Sequence, residues 1–280
     1  MITLVLRKVD GWLFAEYYAS VHDLAVTRML LAAYLLTQLP VGRWISDLPR
    51  VFYDPPISIA LFSNGFANEL LVGGLNVVAV LAATCLLLGY HARVASIATT
   101  GALVVLNTLI YATGKIDHDI LLVVAPAIMA WSGWADAWSI DASLNKVTHL
   151  DPDRRRPTWQ LAWMALLVSL TLATAAAAKA HSGWLHLTES SAYGHALANA
   201  MLNGRETWIG TALLSTESTQ LWELADWATV GVESAGLIAV WRSRWFRAWC
   251  TILAAFHLSV ALHMDIWFAS NLVAYALFVP

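Results

Sequence analysis

Charge is scarce in this chain. Of its 280 residues only 12% are Asp, Glu, Lys or Arg, and 59% are hydrophobic. A soluble domain carries about 25% charged residues, so that class is excluded. The formal net charge of -3 and an isoelectric point near 6.3 leave no basic surface for a nucleic acid. Cysteine is nearly missing. Cys85 and Cys250 both lie in apolar runs, which excludes a disulfide framework and says nothing of the redox compartment. None of the nine histidines has another three or four residues away. A helical metal or bis-histidine haem site would want that spacing, so no metal is expected. There is no internal repeat and no low-complexity tract. Proline is rare inside apolar runs; Pro126 alone interrupts one and predicts a kink. Met1 to Phe14 lacks the long apolar region and cleavage site of a signal peptide, so the first spanning helix is expected to direct insertion.

What is present is apolar length. Mean hydropathy is +0.62. Seven runs, at about 24–41, 68–90, 93–112, 118–138, 158–180, 221–241 and 246–265, each approach the ~20 residues a helix needs to cross hydrocarbon. The reading is an all-α integral membrane protein, a polytopic bundle of about seven or eight transmembrane helices. Ile266 to Pro280 reads as a short eighth helix or a return into the bilayer. Ser190 to Gly204, with Tyr193, His195 and Asn199, reads as a short interfacial helix between spans five and six. Residues 1–280 are expected to form a single transmembrane domain, with no C-terminal extramembrane domain. Many of the 15 tryptophans, such as Trp131, Trp134 and Trp138, stand near span ends, as in an interfacial belt.

Lysine and arginine set the expected orientation. With the N-terminus inside, the inner segments hold Arg7, Lys8, Arg93, Lys146, Arg154, Arg155, Arg156, Arg242, Arg244 and Arg247. The outer segments hold Arg43, Arg50, Lys115 and Arg205. Arg28 and Lys179 fall within spans.

Lys179 is the most informative residue. It ends the run Ala175-Ala176-Ala177-Ala178, where a charge at mid-bilayer costs roughly 2.5–3.5 kcal/mol on insertion scales. An intramembrane lysine either serves a function or snorkels to the headgroups. A lysine withdrawn from water can act as a base. In the expected topology several groups share its outer depth. These are His118 beside Lys115, Asp117 and Asp119; His181; Trp222, Glu223 and Asp226; and His257, His263 and Asp265. Charged groups at that depth must face protein or a wet cavity, which points to an outer-leaflet pocket. On the inner side Arg28 and Glu233 are expected to form a buried structural pair. Asn76 and Asn107 are expected to hydrogen-bond between helices.

Several segments resemble one family. Lys115-Ile116-Asp117-His118-Asp119-Ile120, followed by Trp138-Ser139-Ile140-Asp141, is similar to the histidine-led fourth span of the vitamin K-dependent gamma-carboxylase and its bacterial HTTM relatives. Lys179 and Trp184 match that family's Lys-x-x-x-x-Trp element. Phe256-His257 with Asp265-Ile266-Trp267-Phe268 resembles its last membrane motif, and Arg28 and Gly89-Tyr90-His91-Ala92-Arg93 also fit. The resemblance covers about residues 20–280.

It implies quinol-linked carboxylation. Lys179 would be the base that takes a proton from a reduced isoprenoid quinol of the vitamin K type. Oxygen would add, and the strong base so formed would deprotonate a glutamate that then attacks carbon dioxide. His118 would stabilise charge and His257 would line the pocket. His181, His263 and Trp184 would contact the cofactor. The implied partners are membrane lipid or quinone and a small peptide or protein substrate, with no nucleic acid. The implied location is a bacterial inner membrane, N-terminus cytoplasmic, with the site toward the periplasmic leaflet. Two departures stand out: the animal enzyme's large C-terminal domain is not in this sequence, and His181, Ser182 and Gly183 replace the acids that follow the family lysine. Two non-catalytic readings therefore stand beside the enzyme. One is an assembly or maturation factor for a small exported peptide. The other is a quinone- or lipid-binding accessory subunit of an electron-transfer complex.

Overall fold

The structure, a computed structural model, describes residues 2–49, 68–112, 119–144, 155–188, 190–216 and 218–278. In chain order its elements are α1 (Ile2–Ala15), β1 (Tyr18–Ala19), α2 (Val21–Gln38), α3 (Glu69–Leu88), α4 (Ala92–Tyr111), α5 (Ile120–Met129), α6 (Ile140–Leu144) and β2 (Arg156–Pro157). There follow α7 (Trp159–His181), α8 (Ser191–Asn203), α9 (Trp208–Leu214), α10 (Thr219–Ser234), α11 (Gly236–Ala239), α12 (Ser243–Met264) and α13 (Ala269–Ala276). Among the described residues five helices are long and apolar enough to cross a membrane: α2 with the 3-10 turn that follows it, α3, α4, α7 and α12. The chain is an all-α membrane protein. Its two strands pair only Tyr18 with Pro157 and Ala19 with Arg156.

Local signals set most helix ends. Ser20 and Asp23 close a capping box on α2, and Asn68 accepts from Leu71 N on α3. Gly89 ends α3 at φ 66°, and Gly204 ends α8 at φ 61°. The expected interfacial helix is present as α8. Two expected spans are shorter than the apolar run that suggested them. The run 118–138 yields a helix of only ten residues, α5, which ends three residues after Pro126. Proline brings no amide proton, and the next amide, on Ala127, turns to the Thr100 hydroxyl on α4 at 3.0 Å. The run 221–241 divides into α10 and the single turn α11, where a Cβ on Gly236 would overlap the Trp249 indole.

The chain forms two compact units. In the first, residues 18–161, α2 packs on α3, α3 on α4 and α4 on α5. Leu31, Leu86, Leu106, Leu109 and Met129 fill its interior. Arg28 lies in this unit, fully buried. Its Nε donates to Trp134 O, Nη1 to Leu86 O and Leu87 O, and Nη2 to Trp138 O, at 2.6–3.1 Å. The expected ion pair with Glu233 is thus corrected: the guanidinium is spent on four carbonyls at the end of α3 and in the turns after α5. Asn76 bridges to the chain after α2, exchanging both hydrogen bonds with Val41. Asn107 donates to Leu103 O of its own helix instead of bridging helices.

The second unit comprises residues 1–17 and 162–279. Here α12 is the hub, touching α8, α9, α10, α11 and α13. Phe246, Leu253, Met164 and Val168 are among its buried side chains. Helix α1 is anchored at its C-terminal end, where Trp12 Nε1 and Tyr17 Oη both donate to Val240 O at 2.7 Å. Burial pushes the Tyr17 phenol well above its ordinary range, which keeps it a donor.

Candidate functional site

Lys179 is the third-last residue of α7. The helix closes just beyond it, where Ser182 N bonds to Ala178 O and Lys179 O. Gly183 then takes φ 97°, a conformation that favours glycine, and Trp184 N returns to Lys179 O. This turn lays the Trp184 indole beside the lysine, with Nζ 5.6 Å from the ring centroid. The four residues between Lys179 and Trp184 are thus the length of one helix-ending turn.

Lys179 is engaged through its amine by a carboxylate. Its Nζ lies 2.6 Å from both carboxylate oxygens of Glu233, near the end of α10. Its side chain is 25% exposed and that of Glu233 only 6%. Attraction at that distance is roughly 6 kcal/mol at an effective dielectric near 20. Desolvation costs several kcal/mol per buried ion, so the pair adds little net stability. A sequence under selection for stability alone would do as well with two apolar side chains.

Elsewhere in this unit two further groups pair with each other. The Tyr275 hydroxyl of α13 is 3.3 Å from His257 Nδ1, and the two rings stack at 5.7 Å. His257 is buried, with the Phe268 ring 4.6 Å away on centroids. The second unit thus holds two pairs, Lys179 with Glu233 and Tyr275 with His257, with Trp184 beside the first and Phe268 beside the second. Of the residues singled out from sequence, Lys179 and Trp184 meet directly, while His257 pairs with Tyr275.

The remaining expected residues are placed otherwise. His181 is exposed, on the last turn of α7. His263 Nδ1 is bonded to Ser259 O of its own helix, the ordinary fate of an interfacial histidine. Asp226 is fully buried but committed, accepting from Ser191 N and Ala192 N at 2.8 and 2.7 Å at the start of α8. Asp265 ends α12 at φ 51° and accepts from Trp267 Nε1 at 3.0 Å. Both Glu223 oxygens are buried without a hydrogen-bond partner among the described residues. His118, Lys115 and Asp117 lie outside the described residues.

Sequence reading missed Glu233 and Tyr275 as parts of this site. Glu233 carried a signal, a carboxylate in an apolar run, yet it was matched with the wrong cation. Tyr275 carried none, because a tyrosine near a membrane end is ordinary. The described cavities lie elsewhere. One of about 240 Å³ is lined in the first unit by Arg93, Trp134, Asp136 and Asp141. Another of about 640 Å³ borders α1 in the second unit.

A family model described as HTTM domain matches residues 18–278. The chain belongs to the HTTM domain family. The HTTM domain is the membrane domain of the vitamin K-dependent carboxylase family. The match spans all the candidate residues above, so Lys179, Glu233, His257 and Tyr275 all belong to the HTTM domain. No curated protein and no solved structure matches the chain.

Proposed function

We propose that this HTTM protein is a quinol-linked membrane enzyme of carboxylase type, with Lys179 as its base. One observation carries the reading: Lys179 is held against a buried carboxylate whose attraction barely offsets its own burial. Such a pair persists where the protonation state of one partner is used. To act as a base Lys179 must first give up a proton, and Glu233, touching it through both oxygens, stands where that proton would go. Tyr275 and His257 form a second pair of exchangeable protons in the same unit. Trp184 and Phe268 offer flat apolar faces suited to a quinone ring. A reduced isoprenoid quinone, when bound, would supply the acidic hydroxyl on which the base works, with oxygen and carbon dioxide as co-substrates. The acceptor would be a carboxylate-bearing peptide or protein.

The proposal keeps seven or eight spans in a bacterial inner membrane, N-terminus cytoplasmic, as the lysine and arginine distribution supports. A second reading rests on the same geometry. A lysine saturated by a bidentate carboxylate can simply join two helices, as in a non-catalytic assembly factor for an exported peptide. The test is mass spectrometry of lipids extracted from the protein purified in mild detergent, for wild type, Lys179→Ala and Tyr275→Phe. A stoichiometric isoprenoid quinone, reduced several-fold in both folded variants, supports the enzyme. Absence of quinone from wild type, with all three proteins folded, overturns it in favour of the assembly factor.

A further inference from the structure

Helix α1 supplies a second site, away from the Lys179 pair. Residues 6–11 of this helix are all exposed. The run 6, 9, 12, 13 places Leu6, Val9, Trp12 and Leu13 within one helical stripe at the 3.6-residue period. Yet Leu6, Val9 and Phe14 are exposed, so the protein itself leaves apolar surface of α1 uncovered. Beside the helix runs a groove of about 640 Å³, walled by Val9, Trp12 and Trp241, with Lys8 and Arg242 at its polar edge. The two indoles meet at a tilt of 56°, 5.6 Å between centroids.

Charge decides what could cover this surface. Arg7, Lys8, Arg242, Arg244 and Arg247 belong to the two segments that meet here, against Asp10 and Glu16. Glu16 is already engaged, accepting from Ser243 N at 2.8 Å and Arg242 at 3.2 Å. Lys8 has no carboxylate partner among the described residues. An apolar stripe, paired indoles and an excess of cations match a molecule with an apolar body and an anionic head. The geometry points to an anionic phospholipid, its phosphate at Lys8 and Arg242 and its glycerol and upper acyl carbons along Val9, Trp12 and Trp241. Helix α1 then lies in the membrane interface as a lipid-reading arm, and this assignment does not depend on what Lys179 does.

The test is native mass spectrometry of the full-length protein from detergent, titrated with phosphatidylglycerol or phosphatidylcholine of identical acyl chains. Wild type should retain phosphatidylglycerol at least about five-fold more tightly, the worth of one cation near an anionic surface. Lys8→Glu should abolish that preference while leaving phosphatidylcholine retention unchanged. Equal retention of the two lipids by wild type overturns the assignment, whether or not the variant folds. So does an undiminished preference in folded Lys8→Glu. Displacement of phosphatidylglycerol by millimolar inorganic phosphate would overturn the lipid in favour of a free anion. A dimer that sheds lipid would assign the groove to a second copy.

Discussion

At the scale of single residues, the Lys179–Glu233 pair makes a thermodynamic claim that thermal or denaturant unfolding in detergent can check. Removing one partner leaves the other charged and poorly solvated; removing both leaves apolar contacts. Lys179→Met and Glu233→Leu are each expected to destabilise by about 1–3 kcal/mol, toward the lower end because the lysine is a quarter exposed. The double variant Lys179→Met/Glu233→Leu should come back to within about 1 kcal/mol of wild type. That is a coupling of roughly 2 kcal/mol, within the range for contacting charges. Additive losses would show that the two side chains do not share an interaction. The lysine itself was legible in the sequence, since a charge in an alanine-rich span has few explanations. Its partner was not. Arg28 and Lys179 were both intramembrane cations, and Glu233 could have served either. What separates them is that Arg28 can spread five N–H donors over backbone carbonyls, whereas a lysine ammonium is a point charge that wants a carboxylate.

At the scale of elements, the side-chain caps on helix N-termini are of two kinds. Helices α2, α3, α9 and α10 are capped by their own preceding residue, Ser20, Asn68, Thr207 and Ser218. These caps read directly from sequence, since Ser, Thr or Asn stands just before an apolar run. Helices α4, α8 and α12 have no such local bond and borrow a carboxylate from another element. Asp141 accepts from His91 N and Ala92 N, both at 2.9 Å; Asp226 serves α8; Glu16 serves α12. No local pattern reveals a cap that arrives from 34 to 227 residues away, so Asp226 read as a site acid when it is an anchor. Its charge also suits the positive end of the helix it caps. Asp226→Ala should therefore free α8 selectively. Hydrogen exchange in its first turn is expected to quicken about ten-fold or more, matching the 1–2 kcal/mol of a lost cap, while α12 stays protected. Uniform loss of protection would mean that Asp226 supports the whole unit and not one helix end.

At the scale of the whole molecule, the number of crossings turns on the segment after His118. The ten residues of α5 rise about 15 Å, half of a ~30 Å hydrocarbon layer. Counting only the long helices α2, α3, α4 and α7, the chain makes four crossings between its start and Gly204, which would return Gly204 to the N-terminal side. The basic residues argue otherwise, because Lys146, Arg154, Arg155 and Arg156 would then lie outside. Arg28 resolves the conflict. Irregular backbone survives at membrane depth only where protein donors satisfy it, and the turns after α5 receive them: Trp134 O and Trp138 O both accept from the buried guanidinium. Buried Ala130, Trp134 and Ser139 show that these turns face protein. A short helix continued by an arginine-stitched turn can thus complete the crossing that hydropathy alone assigned to one helix over 118–138. The expected result is odd parity. With Cys85 and Cys250 replaced by alanine, single cysteines at Gly11 and Arg244 should react with a membrane-impermeant maleimide from one side, and a cysteine at Gly204 only from the other. If Gly11 and Gly204 react from the same side, the fourth crossing does not exist. Helix α7 would then carry Lys179 to the N-terminal side, and no outer-leaflet site could contain it.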